Sequence, residues 1–457
     1  MLALALARPA PALDLPEAVD AGRQFLARHE GERADLAALL AGYTGPIEPV
    51  IQELTRQTFE PVEAGYHPEE HFALPELLER HPDDLLYFTV PATYRPNRPT
   101  GLIVFMHGGG SKTSRQAPRV FMSIPDQDGP DSYQLGDVFA ATGMVAVGPS
   151  APWDEESSHR WCLKEADEYL ADVIAECKSR FNIDHDRVFL VGHSMGGFGA
   201  YHHIQRQPDR FAAVVANAGS WTLAHWPVIR GTQLCMVHGV RDARPGIRWH
   251  YTDIEYARQT HRLLTERGLD HVFLEHPGEH AVVNAREHLG RFFVSAEQLR
   301  RDACYPHVTL ATPLGFRPYY RSPVAHNRWL TLDEATDGDL GYDELFTSGE
   351  DDFDAWKLEH RTTTRQGASI DAINRGNNIV EVTTHNVARF TVWLHPRMVD
   401  IGRPLTIIVD GENRTIGRVT PSLATALESF DRRRDWGLIY PIKVELAAGR
   451  TTPTIGQ

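Results

Sequence analysis

The stretch Val188-Phe189-Leu190-Val191-Gly192-His193-Ser194-Met195-Gly196-Gly197-Phe198-Gly199-Ala200-Tyr201 decides the reading of this chain. Val188 to Val191 is a short apolar run rich in β-branched and aromatic types, the composition of a strand buried on both faces. It breaks at Gly192-His193-Ser194-Met195-Gly196 and resumes with small and apolar residues suited to a helix. G-x-S-x-G between a strand and a helix places the serine at the tip of a sharp, strained turn. Glycine at 192 and 196 lets neighbouring backbone pass close by. The Ser194 hydroxyl then stands at the positive end of a helix, where a developing oxyanion is stabilised. The bland alternative, a glycine-rich turn carrying a solvated serine, leaves the flanking strand and small-residue helix unexplained.

Working outward, the same grammar repeats. Leu85–Val90, Leu102–Met106, Met144–Val147, Phe211–Val215, Gln233–Val237 and His271–Leu274 read as strands. Glu165–Arg180, Tyr256–Arg267 and Ala281 to about Leu299 read as helices. The special residues follow strand ends: His107-Gly108-Gly109-Gly110, Ser194, Asp242 and His280. This predicts an α/β fold, a doubly wound, mostly parallel sheet with its site at the carboxyl edge.

A serine hydroxyl needs a base to take its proton and a third group to orient that base. On such a sheet the acid follows the next-but-one strand, where His238-Gly239-Val240-Arg241-Asp242 supplies Asp242. The base sits after the last strand, where Gly278-Glu279-His280 supplies His280. His276 is a rival base, and Glu275, Glu279 and Asp253 are rival acids, each read instead as an ordinary loop group. The oxyanion hole needs two backbone N–H donors, assigned to Met195 and to Gly108 or Gly109. Trp153, Trp161 and Trp221 follow strand ends and are expected to wall a substrate pocket, with core packing as the competing role. His202 and His203 are adjacent and lack metal-ligand spacing, so neither a metal nor any other cofactor is expected.

Outside this region the pattern changes. Residues 1–84 read as an N-terminal helical segment and connector, with apolar positions at helical spacing from Leu15 to about Thr58. Residues 85–302 read as the catalytic domain, and residues 303–457 as a C-terminal antiparallel β module of short strands between Asn, Gly and Pro clusters. Asp333–Asp354 is acidic and reads as a surface loop, and the segment Ser111–Ser132 as a long polar loop.

The net charge of −15 argues against nucleic acid as a partner and mildly against anionic membranes. No apolar run approaches the ~18 residues of a membrane span. Cys162, Cys177, Cys235 and Cys304 are too scattered for a disulfide scaffold, although a Cys162–Cys177 pair is conceivable. Met1–Ala12 reads as a truncated signal peptide or an unstructured leader, which leaves the compartment open, secreted or periplasmic on one reading and cytoplasmic on the other.

His107-Gly-Gly-Gly, Asp184-His185-Asp186-Arg187-Val188 leading into Gly192-His193-Ser194-Met195-Gly196-Gly197, His238-Gly239 with Asp242, and Gly278-Glu279-His280 together resemble the α/β-hydrolase superfamily. The approach to the elbow is similar to that of polyhydroxybutyrate-depolymerase-like and feruloyl-type esterases and of prolyl-oligopeptidase-like hydrolases. The resemblance spans roughly Leu85 to Leu299. It implies hydrolysis of a small-molecule or polymeric ester through an acyl-enzyme, with Ser194, Asp242 and His280 as the triad. The long loop after Gly110 departs from the pattern. A serine peptidase on the same fold, or a polymer-binding protein using the β module, are the competing functions.

Overall fold

The computed structural model describes residues 13–109, 113–124, 134–152, 159–242, 252–349 and 357–448. The N-terminal leader and the tip of the acidic segment fall outside these ranges, as do residues 111–112 and 125–132 of the long polar loop.

The chain is organised by one eight-stranded sheet. Its strands are β1 (Gly65–Glu70), β2 (Leu86–Val90), β3 (Thr100–Met106), β4 (Val145–Pro149), β5 (Ile183–His193), β6 (Ala213–Asn217), β7 (Gln233–Gly239) and β8 (His271–His276). The spatial order is β1-β2-β4-β3-β5-β6-β7-β8. β2 runs antiparallel to β1 and β4, and the pairs from β4 to β8 are parallel. Successive side chains of β3 alternate between two cores. Leu102, Val104 and Met106 join Leu170, Val173 and Leu263, whereas Ile103 and Phe105 join Phe121, Phe139 and Phe293. Both faces are covered by helices, which is why these strands read as unbroken apolar runs.

β5 is longer than its apolar run indicates. Asp184, His185, Asp186 and Arg187 already follow extended backbone on the way to the elbow. The connector before Asp84 is not structureless, since Gly65–Glu70 adds an edge strand to the main sheet. Helices Leu15–Ala27, Ala34–Ala41 and Ile47–Thr55 pack on Leu423 and Leu427 of a helix (Leu423–Arg433) near the other end of the chain.

The C-terminal part is a sandwich. A five-stranded sheet and a four-stranded sheet share one core that includes Val308, Leu310, Ile370, Val380, Phe390, Val392 and Ile407. It is not wholly antiparallel: Ile379–His385 and Leu405–Val409 pair in parallel. The acidic segment also departs from expectation. Asp339–Ser348 is a strand, paired with Lys357–Gln366 and with the two-residue strand Leu223–Ala224 of the catalytic part. Leu340, Tyr342 and Leu345 enter the catalytic core. Asp343 is consumed by Arg267 and His360, and Glu344 by Arg361 and Arg365. The acidity that suggested a solvated loop is neutralised by partners remote in sequence.

The four cysteines are free thiols, so Cys162 and Cys177 do not pair. Among the described residues no helix is long and apolar enough to cross a membrane.

Buried charge joins the two parts. Arg301, with a fully buried side chain, pairs with Asp435 at 2.6 Å and with Asp186 at 2.9 Å. Arg206 donates to the carbonyls of Leu314 and Ser322 at 2.7 and 2.9 Å. Removing one partner of such a pair leaves an uncompensated charge. Arg301→Ala should destabilise the protein by about 3–5 kcal/mol, read from urea unfolding. A change below about 1 kcal/mol would contradict this account of the seam.

Candidate active site

Ser194 lies at the junction of β5 and the helix Met195–Arg206, with φ +57° and ψ −112°. Few non-glycine residues tolerate this conformation, and it is held by surrounding structure. The Ser194 N–H donates to the Asn217 carbonyl at the end of β6, at 2.9 Å. All twelve residues of the following helix are buried. A Cβ at Gly192 would overlap the Gly196 carbonyl, and one at Gly196 would overlap the Met106 carbonyl at the end of β3. The two glycines are therefore required by close backbone crossing.

Asp242 and His280 arrive from the loops after β7 and β8, and those loops are stitched together. Val240 N–H donates to the His276 carbonyl at 2.9 Å and Arg241 N–H to the Gly278 carbonyl at 3.1 Å. The result is a hydrogen-bonded chain. Ser194 Oγ lies 2.9 Å from His280 Nε2, and His280 Nδ1 lies 2.7 Å from Asp242 Oδ2. With the proton on Nδ1, the ring donates to the carboxylate and offers a lone pair to the serine hydroxyl. Asp242 is 2% exposed. Burial alone would raise its proton affinity. Hydrogen bonds from His238 and His280 outweigh that and hold the carboxyl well below the usual carboxylate range.

The rivals have other partners. His276 accepts the Gly278 N–H at 3.2 Å. Glu275 pairs with Arg258, Asp253 caps the helix Ile254–Glu266, and Glu279 is exposed.

Met195 is the first residue of the elbow helix, with its amide at the positive helix end. Gly108 lies directly against the serine, since a Cβ there would stand 3.2 Å from Ser194 Cβ. Gly109, at φ +136°, packs toward Thr113 instead. Gly110 falls outside the described residues.

The tryptophans require a correction. Trp161 and Trp221 are fully buried and present no surface to a pocket. The Trp161 indole N–H donates to the His107 carbonyl at 3.1 Å, pinning the glycine loop from behind. Trp221 donates to Thr260 Oγ1 at 2.7 Å and packs edge-on to Trp226. A buried indole needs a partner for its N–H, and each finds one in the core. Trp153 lies outside the described residues. His202 and His203 are also buried, and His203 Nε2 donates to the Trp161 carbonyl at 2.8 Å. Among the described residues, no group of three or more His, Cys, Asp or Glu side chains could hold a metal ion.

Sequence reading missed two residues around the constellation. The Asn217 side chain accepts from His193 Nδ1 at 2.6 Å and donates to the Val237 carbonyl at 3.0 Å, tying the elbow to β7. Thr252 Oγ1 donates to Asp242 Oδ1 at 3.3 Å. Neither has a sequence signal, because each acts through a fold contact.

Sheet order and elbow together define an α/β-hydrolase fold, with a hydrogen-bonded serine–histidine–aspartate chain at the carboxyl edge of its sheet. A model of the family described as "Serine aminopeptidase, S33" matches residues 148–267. The chain is 24% identical over 158 residues to the bifunctional acetylxylan esterase/xylanase XynS20E of Neocallimastix patriciarum, covering 34% of this chain and 21% of that protein. It is 26% identical over 147 residues to dipeptidyl-peptidase 5 of Porphyromonas gingivalis, covering 30% and 20%. The chain thus spans about a fifth of the length of the curated relatives it matches. A solved structure of Thermogutta terrifontis esterase 2 aligns at 16% identity with a TM-score of 0.38, covering 52% of this chain and 97% of that one.

Two outcomes test this description. Trp161→Phe keeps the ring but loses the N–H that fixes the glycine loop, and should lower kcat/KM roughly 10- to 100-fold with an unchanged circular dichroism spectrum. Stability should also follow the buried histidines. Burial foremost pushes His193 down to about 3 and His159, His185 and His276 down to about 4, from an ordinary 6.5. Such groups give their full stabilisation above the ordinary value and lose it as pH falls toward the folded-state values. The urea midpoint should therefore drop steadily from about pH 6.5 to about pH 4; a flat profile over that window would contradict it.

Proposed function

We propose that this chain is a cofactor-independent hydrolase of carboxylic esters that works through an acyl-enzyme. The observation that carries the reading is the continuous Ser194–His280–Asp242 hydrogen-bond chain, with bonds of 2.9 and 2.7 Å. His280 Nε2 takes the Ser194 proton as Oγ attacks the carbonyl carbon. Asp242 holds the ring in the correct tautomer and stabilises the imidazolium that forms. The oxyanion is met by the Met195 amide and by Gly108, the glycine nearer the serine, with Gly109 the alternative. His280 returns the proton to the leaving alcohol oxygen, and the ester C–O bond breaks. Water, deprotonated by His280, then attacks the acyl carbonyl, and His280 passes that proton to Ser194 Oγ as the acyl–serine bond breaks, releasing the acid and restoring the free serine.

An ester rather than an amide substrate is supported by the esterase activity named for the xylan-active relative. A peptidase reading is favoured by the description of the matching family and by the dipeptidyl-peptidase relative. In our reading the strands Asp339–Ser348 and Lys357–Gln366 of the C-terminal part, which stand outside the sandwich, serve mainly to complete the catalytic core, supported by Leu340, Tyr342, Leu345 and Leu358 within that core.

The protein should label with a fluorophosphonate probe and hydrolyse p-nitrophenyl acetate and butyrate. Ser194→Ala should abolish labelling and lower kcat by a factor on the order of 10^5 or more. Labelling retained in Ser194→Ala would sink the assignment. Faster turnover of peptide p-nitroanilides than of the esters would reverse the choice of substrate.

A further inference from the structure

Asp242 is approached by two imidazoles, and the triad accounts for only one. His238, the last-but-one residue of β7, is 1% exposed. Its Nε2 lies 2.7 Å from the Thr252 carbonyl and 3.4 Å from Asp242 Oδ2. Asp242 Oδ2 is the same oxygen that accepts from His280 Nδ1 at 2.7 Å. Both groups facing His238 Nε2 are pure acceptors. A bare nitrogen there would set lone pair against lone pair, so Nε2 must carry a proton. The N–H is then shared, mostly with the carbonyl and in lesser part with the carboxylate. Thr252 is the common clamp: its carbonyl takes His238, and its hydroxyl donates to Asp242 Oδ1 at 3.3 Å.

We infer that His238 is a positioning residue that tempers the basicity of Asp242, so that the carboxylate orients His280 without trapping it as an imidazolium. The inference rests on the hydrolase reading above. Each donor on a carboxylate oxygen draws off part of its negative charge. Without His238, Oδ2 would concentrate its charge on His280 Nδ1–H. Less of the ring would then be free to accept the serine proton near neutral pH. Among the described residues, other charged or titratable groups also lie close enough to feel His238: Glu275 and His276 from β8 and His193 from the end of β5. Glu275 is engaged by Arg258 at 2.8 Å. Burial keeps His193 and His276 neutral above about pH 4. Among the described residues, His238 and His280 are the imidazoles within ion-pair distance of the carboxylate.

A packing role and this role separate by sign. If His238 merely fills space, its loss loosens Asp242, weakens the hold on the imidazolium, and leaves the acid side of the activity profile in place or moves it down. If it tempers the carboxylate, the acid side moves up. The test compares the parent with His238→Phe, which fills similar space without a donor, and His238→Gln, whose amide restores an N–H near the Nε2 position. The readout is kcat/KM for p-nitrophenyl butyrate between about pH 5 and 9, with fluorophosphonate labelling in parallel. His238→Phe should raise the acid-side midpoint by about half a pH unit and lower kcat several-fold with little change in KM. His238→Gln should return the midpoint close to that of the parent. An unmoved or lowered midpoint in a labelled His238→Phe protein, or no restoration by Gln, overturns the inference alone. A parent that neither labels nor turns over ester overturns the hydrolase reading with it. Nitrogen NMR of the parent with labelled histidine gives an independent check that needs no variant. A protonated Nε2 on His238 from about pH 6 to 8 is required, and a bare one refutes the proposal.

Discussion

The site depends on a single backbone conformation that the chain would not adopt by itself. A serine at φ +57° and ψ −112° stores about 1–3 kcal/mol of strain. That strain persists because β5 is clamped between β3 and β6 and because the elbow helix is wholly buried behind it. Two glycines make the clamp possible by letting β3 and the helix touch the turn through bare backbone. A methyl group at either place would push the helix off the sheet, and the hydroxyl would lose its aim at His280.

The second constraint is electrostatic. Asp242 is nearly inaccessible to water, and a lone buried carboxylate would be neutral rather than charged. It stays ionised because protein donors replace the water it has lost: His280, Thr252 and His238. Asp242 and His280 therefore share more than proximity. The cross-links from Val240 and Arg241 to the β8 loop fix their separation through main-chain bonds. Side-chain rotation alone would hold it far less rigidly.

Much of this was legible in the sequence because parallel strands buried on both faces announce themselves as apolar runs. Chemistry-bearing residues on such a sheet also follow strand ends, so the convergence of Ser194, Asp242 and His280 could be expected from order alone. What could not be read depends on distant partners. The strand Asp339–Ser348 looked like a solvated loop because its acids are cancelled by Arg267, His360, Arg361 and Arg365, which composition cannot pair. Trp161 and Trp221 follow strand ends as a pocket wall would, but they turn inward, since their N–H groups find acceptors in the core. The helix Leu423–Arg433 is a different case: Leu423, Ala426, Leu427 and Phe430 recur at helical spacing, a local signal that reading residues 303–457 as a β module passes over.

The pairing of the first helices with that late helix bears on how the chain is made. Val19 and Phe25 share a cluster with Leu423 and Leu427, about four hundred residues apart. At roughly 5–20 residues per second on the ribosome, the amino-terminal helices wait on the order of 20–80 seconds for the surface that covers them. During that interval a greasy face stands open beside a growing polypeptide. Production of this protein in a foreign host is therefore expected to depend on chaperone supply and growth temperature more than its finished stability would suggest.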